Sequence, residues 1–161
     1  MLQIAPCNIR IGNLSGIKLM TLLISLMLGH FLFSNNQPTH TTIIPDATFE
    51  AALVALNIDS NGMNGNILNS DAETVTTLFI GNLGISDLTG IEAFENLVHL
   101  YAYNNNLTSI NLSTNVHLEI IDLDNNNLSS IDLTSQDDLK ELLISNNVLT
   151  SLNTSQNLRL E

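Results

Sequence analysis

The side chains best suited to chemistry in this 161-residue chain fall in a few short stretches. Asp122 and Asp124 alternate along Ile120-Ile-Asp-Leu-Asp124, a spacing that puts both carboxylates on one face of a strand. Paired carboxylates can divide acid–base work between them, although such pairs also arise freely in an acid-rich sequence. His99, Tyr101 and Tyr103 stand 21 residues before Ile120, Asp122 and Asp124, and Phe79 precedes Tyr101 by 22. Exposed aromatic rings beside acids compose a surface that contacts a protein or a sugar. The competing reading is that these rings only pack on one another across an exposed sheet. No H-E-x-x-H, G-x-S-x-G, phosphate-binding loop or metal-spaced Cys/His set occurs. His30, His40, His99 and His117 are scattered, and no catalytic activity is expected.

A second stretch, Asp59-Ser-Asn-Gly-Met-Asn-Gly-Asn-Ile-Leu-Asn-Ser-Asp71, bears on calcium. The calcium loop of a helix–loop–helix hand takes oxygen ligands at D-x-[DN]-x-[DN]-G with an acid at the twelfth place. Asp59 and Asn61 fit, one extra residue precedes Asn64-Gly65, and allowing for it brings Asp71 to the acidic place. Carbonyl-type ligands outnumber carboxylates and the spacing is off, so a metal-free Gly/Asn turn is the favoured reading. Calcium is the alternative, and no other cofactor is expected.

What must position these groups is a repeat. Three 21-residue units run 97–117, 118–138 and 139–159, and a fourth opens at Leu160. Apolar residues recur at the first place (Leu97, Leu118, Leu139), the fourth (Leu100, Ile121, Leu142) and the sixth (Ala102, Leu123, Ile144). They return at the eleventh (Leu107, Leu128, Leu149), the fourteenth (Ile110, Ile131, Leu152) and the sixteenth (Leu112, Leu133, but Thr154). The ninth place is always Asn: Asn105, Asn126, Asn147. This is the L-x-x-L-x-L-x-x-N-x-L pattern of a leucine-rich repeat. Places four and six alternate as in a strand with one buried face. The ninth-place amides can satisfy backbone groups at the turn and form a ladder from coil to coil. The fourteenth and sixteenth places should point inward from the opposite wall, on an extended or 3₁₀ return leg too short for an α-helix. The predicted fold is a leucine-rich repeat solenoid: a parallel β-sheet on the concave face, short return legs, and a helical N-terminal cap.

The array, residues 74–161, begins with a degenerate 22-residue coil, Val75 to Asn96, with Leu83 at the Asn place. A cap is predicted over 45–73. Its helix starts at Pro45-Asp46, where a missing N–H and a carboxylate are both favoured. Phe49, Ala52, Leu53 and Leu56 then form one stripe that covers the open end of the first coil. In the array the third, fifth, seventh and eighth places face the concave surface, and the first three of these gather Phe79, His99, Tyr101, Tyr103, Asp122 and Asp124. The eighth place is Asn throughout (Asn82, Asn104, Asn125, Asn146) and reads as a solvated ladder.

Residues 1–36 read as a signal peptide, with Arg10 and Lys18 before the uncharged run Leu19 to Phe33, and 37–44 as a linker. Fifteen apolar-rich residues suit an exported leader better than a membrane span of about 20. An uncleaved signal anchor is the alternative, and would be the protein's one tie to a membrane. Cys7 lies before that run and is the only cysteine, so disulfides do not hold the fold. Past residue 36 the basic side chains are Lys140 and Arg159, against all 16 acidic ones. Such a surface repels phosphate backbones and disfavours nucleic acid and anionic membranes as partners.

Pro45-Asp-Ala-Thr-Phe-Glu-Ala-Ala-Leu53, the Asp/Asn/Gly turn, Gly84-Ile-Ser-Asp-Leu-Thr-Gly-Ile-Glu-Ala-Phe94 and the Leu-Thr-Ser-Ile-Asn-Leu-Ser repeats together mark a resemblance. The stretch 45–161 resembles the secreted or surface leucine-rich repeat proteins of bacteria, internalin-like in their short repeats and common in the Bacteroidota. The resemblance implies an exported, non-enzymatic protein that binds proteins or glycans. Many such proteins carry a C-terminal sorting domain, whereas this chain stops at Glu161 within a coil, so further sequence is expected beyond it. Two functions follow: a monomeric binding module at or near the cell surface, using its concave face, or a structural spacer whose binding region lies elsewhere.

Overall fold

A computed structural model describes residues 40–161; the leader reading of 1–36 lies outside them. Four three-residue strands, β3 (Thr77–Phe79), β4 (His99–Tyr101), β5 (Ile120–Asp122) and β6 (Glu141–Leu143), pair in parallel and in chain order. Their register aligns Leu78, Leu100, Ile121 and Leu142 as direct partners. Equivalent side chains therefore stand one above another, as a 21-residue period requires, and the stack is a leucine-rich repeat solenoid. Leu97, Leu118, Leu139, Leu100, Ile121, Ala102, Leu123, Leu107, Leu128, Leu112 and Leu133 form one continuous buried core. No coil could bury its own two faces; each is covered by its neighbours.

The return legs are extended with tight turns, and the first contains a 3₁₀ segment, Ile91–Ala93. Each leg turns at an Asx residue whose side chain accepts the N–H two residues on: Thr89 to Asp87 (2.8 Å), Ser113 to Asn111 (3.1 Å), Thr134 to Asp132 (3.0 Å) and Ser155 to Asn153 (3.1 Å). One detail departs from the sequence pattern. The sixteenth place is buried at Leu112 and Leu133, whereas the fourteenth is buried only in part: Ile110 and Ile131 pack half-buried against the core and Leu152 is 44% exposed.

The N-terminal cap is more elaborate than a helix and a turn. Residues 41–43, read from sequence as linker, form strand β1 (Thr41–Ile43), antiparallel to β2 (Asn66–Leu68). Helix α1 (Ala47–Ala55) lies between them, and one further turn, α2 (Asn69–Ala72), leads to the first coil. The pairing was hidden because three residues against three, 23 to 27 positions apart, have no periodicity to detect. Phe49, Ala52 and Leu53 are buried as the stripe required, whereas Leu56 is the C-cap residue and 44% exposed. Asn57, at φ 56°, turns the chain away there.

The cap is fastened to the first coil at three points. Asp46 caps α1 with one oxygen, accepting from Thr48 N (2.8 Å) and Phe49 N (3.1 Å). Its other oxygen accepts from Ser86 N (2.9 Å), Ser86 Oγ (2.9 Å) and Asp87 N (3.0 Å). Phe49 meets Phe94 at 6.4 Å between ring centroids. Gly90, at φ 105°, lies so close under β1 that a Cβ there would collide with Ile44.

Candidate functional site

The exposed face of the sheet is a grid whose rows cross the four strands. One row runs Thr77, His99, Ile120, Glu141 and the next Phe79, Tyr101, Asp122, Leu143. A third, Gly81, Tyr103, Asp124, Ser145, continues past the strand ends. It is kept in line by Asn82 N to Tyr103 O (2.9 Å), Asn104 N to Asp124 O (2.8 Å) and Asn125 N to Ser145 O (2.9 Å). All six side chains named for this face from sequence are therefore brought to it.

Aromatic groups fill its N-terminal half. Phe79 is 61% exposed and stacks on Tyr101 with ring centroids 4.7 Å apart and planes 5° from parallel. His99 lies 6.4 Å from Tyr101, and its Nδ1 is 3.3 Å from Thr77 Oγ1. The ring of Tyr103 lies over Gly81, where a Cβ would come within 2.7 Å of it. Gly81 is thus needed for space, a role the sequence pattern does not reveal.

Acids fill the next strand. Asp122 accepts from Asp124 N (3.2 Å) and Asp124 from Ser145 N (2.6 Å). Burial pushes the Asp122 carboxyl above its ordinary value, and the like charges of Asp124 and Glu141 add to the effect against that one N–H.

Two amide ladders hold this face in shape. In the predicted one, each Asn uses both ends of its amide. Asn105 Nδ2 donates to Ile80 O (2.8 Å) and Ala102 O (3.0 Å) while Oδ1 accepts from Leu83 N (3.2 Å) and Ile85 N (3.0 Å). Asn126 donates to Ala102 O (3.0 Å) and Leu123 O (3.1 Å) and accepts from Leu107 N (3.1 Å). Asn147 repeats the scheme with Leu123 O (2.9 Å), Ile144 O (3.1 Å) and Leu128 N (2.9 Å). Asn105 accepts in addition from the N–H of Leu83, the residue that stands at the Asn place of the first coil. The second ladder was not foreseen. Asn115, Gln136 and Asn157, buried in the return wall, donate only to carbonyls of the coil before: Ile91 and Phe94, Leu112 and Asn115, Leu133 and Gln136. A column mixing Asn and Gln was the available signal.

The eighth-place Asn column has a reason beyond solvation. Asn82, Asn104, Asn125 and Asn146 all have φ between 52° and 62°, the left-handed region that Asn tolerates better than other side chains. Asn104 also bonds Asn82 (2.9 Å) and Asn146 bonds Asn125 (2.8 Å).

The four calcium-loop candidates sit in a hydrogen-bonded turn. Asp59, 5% exposed, accepts from Asn61 N (3.1 Å), and its Oδ2 has no hydrogen-bond partner. Burial pushes its carboxyl up. Asp71 accepts from Ser60 N (3.0 Å) and Oγ (2.6 Å), and Asn61 Nδ2 bonds Asn66 Oδ1 (3.1 Å). Asn64 N and Gly65 N both donate to Glu50 Oε1, a buried clamp from α1 not anticipated from sequence. Among the described residues, no three His, Cys, Asp or Glu side chains converge as a metal site.

The functional domain of InlJ from Listeria monocytogenes, a structure that includes a cysteine ladder, is 32% identical over 75% of this chain, with a TM-score of 0.69. The internalin InlF of the same species is 24% identical over 73% of the chain, with a TM-score of 0.66. The chain spans 27% and 35% of the lengths of those two structures. No protein-family model and no curated protein sequence matches it. The molecule is thus an internalin-like leucine-rich repeat solenoid. Residues 40–161 contain no cysteine, so its ladders are built of amides.

Proposed function

We propose that the chain is a non-catalytic binding module that receives a macromolecular partner on the concave face of its sheet. The observation that carries this reading is Phe79, a large apolar side chain 61% exposed and stacked on Tyr101 at 4.7 Å. Exposed aromatic clusters on a rigid scaffold are the anchors of interfaces, and the solenoid backbone holds them with little to order on binding. An open face suits a protein or glycan better than a small molecule, which needs a cavity. The module acts as a monomer exported to the surface of a bacterium, a placement supported by the leader-like residues 19–33 and the internalin-like build.

Replacing Tyr101 and Tyr103 together by Ala tests this. Capture of a partner identified by pull-down should fall at least about tenfold, with the circular dichroism spectrum and melting temperature preserved. Unchanged capture by a folded variant would leave the array a spacer.

A further inference from the structure

We propose that the sheet face takes a cationic segment of a protein partner, with an arginine or lysine side chain laid along Tyr101 or Tyr103 and its charged head among Asp122, Asp124 and Glu141. This rests on the reading of that face as the binding surface and specifies which partner chemistry it fits.

The rows set a ring beside a carboxylate twice over. Tyr101 has Phe79 stacked on one side and Asp122 as its partner on the other. Tyr103 has Gly81 beneath its ring and Asp124 in the next strand's row. Adjacent strands lie about 4.8 Å apart, so one long basic side chain spans ring face and carboxylate together. A cation is attracted to an aromatic face within about 6 Å of its centre. A guanidinium can stack on the ring while its fork of N–H groups meets the carboxylate. Glu141, diagonal to Asp122 on β6 and exposed, extends the negative field along the same face.

No lysine or arginine in the described chain pairs with these acids. Lys140 pairs with Glu119 (2.8 Å) and Arg159 with Asp138 (2.6 Å). Asp122 and Asp124 receive hydrogen bonds from backbone N–H groups, and they repel each other and Glu141. A positive partner relieves that repulsion, and an anionic one adds to it. A neutral glycan would use the rings and leave the acids unanswered.

The test is fluorescence anisotropy of the full chain with a fluorescein-labelled Gly-Arg-Gly-Arg-Gly-Arg peptide, against the same peptide carrying uncharged citrulline, at about 0.15 M salt. The arginine peptide should bind roughly tenfold or more tighter than the citrulline peptide. Asp122→Asn with Asp124→Asn should remove most of that difference. Asn keeps an oxygen for the N–H groups of Asp124 and Ser145, so the fold should stand. If that pair fails to fold, Glu141→Gln on an exposed residue takes its place, with a loss of about threefold. Glu95→Gln with Asp137→Asn, which removes the same charge from other exposed positions, should change binding less than about twofold. Equal binding of the two peptides overturns the proposal. So does an equal loss in the control pair, which would show a diffuse attraction by an acidic protein. If Tyr101→Ala with Tyr103→Ala abolishes capture of a protein partner that Asp122→Asn with Asp124→Asn leaves intact, the binding face stands and the cationic assignment falls.

Discussion

Cap and coils both leave backbone N–H groups without regular partners, and they recruit different chemistry to meet them. In the cap the acceptors are carboxylates: Asp46 takes donors from Thr48, Phe49, Ser86 and Asp87, and Glu50 takes Asn64 and Gly65. In the buried interior of the coils they are neutral amides, which also donate: Asn105, Asn126 and Asn147 each link two carbonyls to at least one N–H of the preceding coil, and carboxylates accept only in the surface turns. The cap needs an acceptor at one junction, made once. The coils need two donors and an acceptor at every level, and an amide supplies both N–H donors and the acceptor where a hydroxyl has a single donor. Charge at every level would stack like on like through the core, at the cost that burial exacts from any ion. Acidity is therefore confined to the cap and the surfaces.

This contrast can be broken by substitution. The largest effect is expected from Asn126→Ala, which orphans the buried N–H of Leu107 and strips one of the two amide donors from each of the Ala102 and Leu123 carbonyls; we expect a loss of about 1–3 kcal/mol in chemical denaturation. A loss below about 0.3 kcal/mol would mean the amide is not needed where it stands. Asp46→Ala should follow, at about 1–2 kcal/mol, since it removes both a helix cap and the bridge to the first coil. Asn115→Ala should cost less than Asn126→Ala, on the order of 1 kcal/mol, because its carbonyl oxygen has no partner to lose. Smallest is Gln136→Asn, expected within about 0.5 kcal/mol, since that column already holds Asn at both neighbouring levels.

Acid sharpens the contrast without mutation. Burial alone would raise the Asp46 carboxyl, but its hydrogen bonds from Ser86, Phe49 and Thr48 outweigh that and hold it at about 2, against an ordinary 3.8. A lowered folded value means the stabilisation is complete above about pH 4 and is lost as pH falls toward about 2. Amides do not titrate. Hydrogen exchange from pH 4 to 2, corrected for intrinsic rates, should therefore show α1 and the Ser86–Asp87 turn losing protection before β4 and β5. Asp122 runs the other way: its raised carboxyl is costly when ionised and is relieved as pH falls, so Asp122→Asn should not lower stability at neutral pH.

The parts legible in the sequence were those that repeat. Three aligned copies exposed the core places, the ninth-place Asn and the residues that face outward, because a side chain used identically at each level leaves a column. What was missed lacks a column or misuses one. The clamp by Glu50 joins residues 14 and 15 positions apart, once. The β1–β2 pairing joins a presumed linker to a presumed turn. Gly81 matters only because Tyr103 lies on it. The return-wall ladder alternates Asn and Gln, since only the NH₂ end is used and either length reaches. The eighth-place Asn was visible as a column but not as a backbone requirement, because a left-handed φ leaves no mark beyond the residue type that tolerates it.

The most direct check on the binding face is a hydrogen-exchange footprint of the chain with and without its captured partner. Peptides covering 97–105 and 118–126 should gain protection, while return-leg peptides covering 108–117 and 129–138 stay unchanged. Protection confined to the return legs, with the strands indifferent, would contradict the account.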